Sequence, residues 1–101
     1  GMALGVVEAV KNAGLQEQVA VFGTDGISDA YNSIRAGDLT GTVDSFPVLT
    51  GEVAMEVALR LIAGQELPRV VATPQALITA DNIEQYAVED TAALRETLLA
   101  Q

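Results

Sequence analysis

At 101 residues, half of them hydrophobic but only 4% aromatic, the chain is sized for one folding unit with a modest core of Val, Leu, Ile and Ala, as in parallel sheets covered by helices. Five basic residues against 14 acidic ones give a net charge of -9, which repels phosphate backbones and argues against nucleic acid as a partner. The chain has no Cys and no His, so disulfides, thiolate chemistry and His-based triads are excluded, the commonest metal ligand is missing, and no catalytic residue, metal or cofactor is expected.

No apolar run approaches the roughly 20 residues of a membrane span, and no secretory leader is visible. From Met2 to Ala13, the residues Ala3, Leu4, Val7 and Val10 recur at helical spacing, and Gly14 is the stop. A helix at the very start, with neither a cap nor a preceding strand, suggests a chain that begins partway through a fold. Val19 to Thr24 then reads as a buried strand that runs into Asp25-Gly26, a sharp turn. Ser28 is the expected N-cap of a helix from Asp29 to Ala36, which Gly37 ends.

A second strand is expected from Leu39 to Phe46, bounded by Pro47, with Val43 and Ser45 on one face and Thr42, Asp44 and Phe46 on the other. From Leu49 to Ala63 the pattern is helical again. Val53, Ala54, Val57, Ala58, Leu61 and Ile62 form an apolar face, Glu56 and Arg60 make an i,i+4 pair, and Gly64 closes the helix. Val70 to Ala72 and Ala76 to Thr79 read as two short strands or one bent strand. Thr79 or Asp81 is a candidate cap for a turn of helix through Tyr86, and Asp90 for a last helix through Leu99.

The segments Met2-Ala3-Leu4-Gly5, Gly23-Thr24-Asp25-Gly26, Ile34 to Val43, Pro47 to Gly51, Ala58 to Gly64 and Thr73 to Asn82, taken in order, resemble the carboxyl-terminal third of the ribose-type (type I) periplasmic sugar-binding proteins of ABC transporters. The resemblance runs from about Met2 to Tyr86. It implies an α/β class: a partial periplasmic-binding-protein-like three-layer fold with a mainly parallel sheet flanked by helices. In that frame residues 1–43 belong to the second of two lobes, 47–75 to the first, and 76–101 to a return crossover and C-terminal helices. The function implied is sugar capture by lobe closure for an importer, in the periplasm, with no enzymatic step. The implied partners are a small-molecule sugar and the ABC transporter permease. The first lobe's opening strands, the aromatic residues that stack on sugar, and the family's Asn before the segment aligning with Met2 are not in this chain.

Two residues are the candidate ligand contacts. Asp25 matches the family's carboxylate, which accepts hydrogen bonds from sugar hydroxyls; read without the family it is equally an Asx-type turn residue. Ser45 stands where the family commonly has Gln or Asn, and a shorter side chain there puts the identity of the sugar in doubt; it also reads as an ordinary residue at a strand end. Asp44 and Phe46 are expected to serve the hinge or packing. Asp44 and Asp25 as a carboxylate pair for glycoside hydrolysis is the weaker reading. Glu52, Glu56 and Glu66 read as a solvated face that could also meet a transporter. The ligand-sensing domain of a lactose-repressor-type transcription regulator shares the fold and is the alternative, but the chain end lacks that group's Arg-x-Ser closing pattern. A chain holding half a cleft is expected to bind sugar weakly or not at all, and to form a homodimer through uncovered apolar faces and strand edges.

Overall fold

A computed structural model describes residues 1–88 and 92–95. Its elements are α1 (Met2–Asn12), β1 (Phe22–Thr24), α2 (Ser28–Arg35), β2 (Gly41–Asp44), α3 (Pro47–Ile62), β3 (Ala76–Thr79) and α4 (Ile83–Tyr86). Residues 92–95 are helical; Asp90 and the rest of the expected last helix lie outside the described residues.

The three strands form one sheet in the order β1-β2-β3. β1 and β2 run parallel, with Gly23 opposite Thr42, and α2 is the crossover that parallel neighbours require. β3 returns antiparallel to β2, with Thr42 opposite Ile78, so the sheet is mixed, with its parallel part confined to the first pair. Because side chains alternate along a strand, Gly23, Thr42 and Ile78 share one face. That face is sealed: Thr42 and Ile78 are both 0% exposed and belong with Val7, Ile34, Leu49 and Ile83 in the protected interior. Gly23 lets α1 come close, since a Cβ at this position would lie 2.8 Å from the Ala3 methyl.

The opposite face carries Phe22, Val43 and Leu77, and Phe22 is 57% exposed. The fold is the expected α/β type, a three-stranded sheet with helices, and among the described residues this second face stays largely open at Phe22 and Leu77. α3 is also thinly covered. Leu49 is its single buried residue, while Met55, Leu59, Leu61 and Ile62 face solvent. The result is an elongated body of 59 × 22 × 19 Å with a radius of gyration of 16.8 Å, against about 13 Å for a compact 100-residue domain.

Several expected boundaries shift for physical reasons. The first strand shortens to Phe22–Thr24 because its partner starts only at Gly41; ahead of the ladder, the Val21 amide donates instead to the Thr40 hydroxyl at 3.0 Å. Ser28 is the first residue of α2, not its cap; Ile27 occupies the cap position and no side chain bonds to the helix end. The second strand stops at Asp44, since Phe46 turns into the left-handed region (φ 50) and becomes the residue from which α3 starts, with Pro47 as its first helical residue. Of the two short strands or one bent strand expected after Pro68, only Ala76–Thr79 forms a strand. Neither Thr79 nor Asp81 caps the following turn. Asn82 stands before α4, and its side chain closes the β3 turn by accepting from the Thr79 amide at 2.8 Å and donating to the Leu77 carbonyl at 2.9 Å.

Candidate ligand-binding edge

Asp25 directly follows β1, and its amide donates to the Val43 carbonyl at 2.8 Å, which extends the parallel ladder by one rung. Its backbone then leaves the sheet through two consecutive positive φ values, 91 at Asp25 and 63 at Gly26. The first is a strained conformation for a residue with a side chain, and such strain concentrates at functional turns. The side chain of Asp25 is exposed. Ser45 directly follows β2, is half-buried, and its carbonyl accepts from the Thr50 hydroxyl at 2.9 Å, which stitches the first turn of α3 to the strand end. Since the two strands are parallel neighbours with Thr24 opposite Val43, Asp25 and Ser45 emerge at the same carboxyl edge of the sheet. An open α/β sheet presents its ligands at this edge. A carboxylate there can accept two hydroxyls, and a serine beside it can donate to or accept from a third.

Asp44 lies beneath this edge. It is buried, and both its oxygens are committed: Oδ1 accepts from the Phe46 amide at 2.8 Å and Oδ2 from the Tyr31 hydroxyl at 2.7 Å. Gly26 sits directly against it, so that a Cβ on Gly26 would fall 2.6 Å from Asp44 Oδ2. Burial raises the Tyr31 phenol pKa above its ordinary value of 10.0, and the hydrogen bond to Asp44 and the negative charge of that carboxylate push it further in the same direction; Arg35 opposes this. Phe46 completes the cluster by stacking on Tyr86, with ring centroids 5.8 Å apart. The burial of Asp44 and Phe46 agrees with the packing alternative for these two residues, whereas no local sequence signal marks Tyr31. Only the shared face of Thr42, Asp44 and Phe46 hinted at such a cluster.

A groove of roughly 620 Å³ opens beside the cluster, between the Tyr31 and Arg35 side of α2, the start of α3, and Tyr86 to Val88. Neither Asp25 nor Ser45 lines it. The structure therefore brings the two candidate contacts to one sheet edge while the open groove lies away from them, beside Asp44.

A parallel strand pair with a carboxylate turn at its carboxyl end is the framework of an open α/β binding domain, and the profile of the periplasmic binding protein domain family matches residues 1–66, so the chain belongs to that family. Among individual relatives, it is 40% identical over 83 residues to the D-ribose/D-allose-binding protein of Pseudomonas aeruginosa, covering 78% of this chain and 26% of that protein. It is 36% identical over 78 residues to the ribose import binding protein RbsB of Bacillus subtilis, covering 77% of this chain and 25% of RbsB. Of solved structures, an ABC transporter periplasmic solute binding protein from Actinobacillus succinogenes with bound D-allose superposes with a TM-score of 0.77 at 36% identity, over 84% of this chain and 30% of that one. The Caulobacter myo-inositol binding protein bound to myo-inositol gives a TM-score of 0.69 at 36% identity, over 82% and 28%. The chain spans about a quarter of the length of the curated relatives it matches.

Proposed function

We propose that this chain forms one wall of the sugar cleft of a ribose-type periplasmic binding protein that delivers its ligand to an ABC importer, and that it performs no chemistry of its own. The observation that carries this reading is the emergence of Asp25 and Ser45 at one carboxyl sheet edge, in a chain whose relatives are named for binding ribose and allose. Asp25 is the primary acceptor of sugar hydroxyls, and Ser45 a short secondary contact that leaves room for a bridging water or a bulkier ligand. Residues 1–43 are assigned to the second lobe, 47–75 to the first, and 76–101 to the return crossover and C-terminal helices. The left-handed turn at Phe46, the departure of α3 from the sheet and the return of β3 beside β2 support that division. The family's compartment, the periplasm, is assigned to this chain on the same ground.

With half a cleft, the isolated chain is expected to bind D-ribose and D-allose weakly or not at all. Isothermal titration is the test, and micromolar or tighter binding would overturn the half-cleft reading. In a full-length protein carrying this segment, Asp25→Ala is expected to weaken binding at least tenfold through loss of charge-assisted hydrogen bonds; unchanged affinity would remove Asp25 from the site. The exposed Phe22, Leu77 and Ile62 favour self-association of the isolated chain into a homodimer, and a monomer in light scattering at high concentration would count against it.

A further inference from the structure

Asp44 touches both halves of the candidate ligand edge without belonging to it. Its neighbours in sequence and space are the two turns that carry the candidate contacts. On one side, Oδ1 holds the amide of Phe46, the residue after Ser45, in a left-handed conformation with φ 50. On the other, its side chain fills the space that a Cβ of Gly26, the residue after Asp25, would need. The remaining oxygen is anchored by the hydroxyl of Tyr31, itself buried on α2. A carboxylate so deeply buried costs solvation unless its lone pairs are satisfied, and here each oxygen has a donor at 2.8 Å or less. The solvation cost and two strained backbone residues are compatible only if the cluster fixes a geometry that the chain would not adopt by itself.

From this we infer that Asp44, oriented by Tyr31, is the positioning residue of the ligand edge: one buried carboxylate sets the Asp25-Gly26 turn and the Ser45-Phe46 turn against each other, so their spacing is fixed before any ligand arrives. The inference rests on the reading of Asp25 and Ser45 as ligand contacts, but its test requires no ligand. Because Tyr31 ties α2 to Asp44, and Asp44 in turn holds the Phe46 amide, the turn that carries Ser45 travels as one piece with Asp25.

Amide hydrogen exchange and backbone resonances of the full 101-residue chain test this. Asp44→Ala is expected to speed exchange of the Phe46 amide by on the order of tenfold or more and to move the resonances of both residues 24–27 and residues 45–47, while Val7 and Val10 in α1 stay put. Asp44→Asn, which keeps the shape and an acceptor for that amide, is expected to restore Phe46 protection to within about threefold. Changes spread evenly over the sheet, changes confined to residues 44–47 with Gly26 unmoved, or an Asn variant as unprotected as the Ala variant would each overturn the assignment. Should Asp44→Ala fail to fold, Tyr31→Phe serves: it leaves the Oδ1 bond in place, so Phe46 should stay protected while the Gly26 resonance shifts, and a silent Gly26 overturns the proposal. The Asp25→Ala affinity measurement in a full-length protein reports on the sugar reading separately, so either can fail alone.

Discussion

Two amphipathic helices of this chain end in opposite environments. α2, with eight residues, buries Ala30, Tyr31 and Ile34 against the sheet. α3, twice as long at 16 residues, buries only Leu49 and leaves Ile62 83% exposed. Both show the periodicity of a helix that has a face to hide. What differs is whether the surface meant to receive that face is present within the described residues. Periodicity in a sequence therefore reports that burial is intended, and the fold reports whether the partner is at hand.

The contrast can be broken most directly by cutting each helix's apolar face in turn. Ile34→Ala should cost about 2–5 kcal/mol by opening a cavity in the interior, whereas Ile62→Ala on α3 should change stability by no more than about 0.5 kcal/mol. Urea unfolding of both variants provides the check. An Ile62 variant as damaging as the Ile34 one would mean that α3 is covered in solution, for instance by a second copy of the chain.

The same comparison at the level of the backbone uses two glycines with positive φ. Gly26→Ala combines an unfavourable φ of 63 with a methyl group 2.6 Å from Asp44 Oδ2, and is expected to cost about 1–3 kcal/mol or more. Gly64→Ala after α3 meets the strain of φ 82 but no neighbour within 4 Å, and should cost about 1 kcal/mol. Equal losses would show that Asp44 yields to the added methyl.

Tyr31 gives the packing of α2 a signature in pH. The phenol pKa is raised in the folded state, so folding favours the protonated form; below the unfolded value of 10.0 the contribution is fully present, and it is lost as pH climbs from there through the folded value. Thermal midpoints should therefore fall more steeply above pH 10 for the native chain than for Tyr31→Phe, with Asp44, Arg35 and Tyr86 as the charged or titratable groups acting on it. Parallel pH profiles would mean that the Tyr31 phenol is not held buried beside Asp44. The smallest effect is expected at Thr42, whose buried Oγ1 has no hydrogen-bond partner among the described residues. Thr42→Val should be neutral or stabilising by up to about 1 kcal/mol in the same unfolding assay.

The local grammar of the chain was legible. Gly14, Gly37 and Gly64 end the three helices they were expected to end, each with a positive φ that glycine tolerates. The Asp25-Gly26 turn follows a strand as its sequence indicates, and the Glu56 to Arg60 pair forms at 2.8 Å on the exposed side of α3. What stayed hidden depends on partners distant in sequence. The apolar run back to Val19 suits a strand but does not say where its neighbour begins, and the ladder starts only at Phe22. Phe46 suits a strand as an aromatic residue, but its amide donates to the Asp44 carboxylate and its backbone turns left-handed, out of the strand. Tyr31 and Asp44 lie on different elements, and only the turn of α2 over the sheet makes them neighbours.

The sheet's connectivity also has a kinetic side. β1 and β2 are joined by one short helix, but β3 must find β2 after all of residues 45–75 have been laid down, and α3 offers that stretch little packing on the way. Closing so long a loop is an entropic cost met before the pairing returns anything, which places β3 docking late. Ile78, fully enclosed in the finished protein, should then be a spectator in the folding transition state, and Ile78→Val should quicken unfolding while leaving the folding rate nearly unchanged.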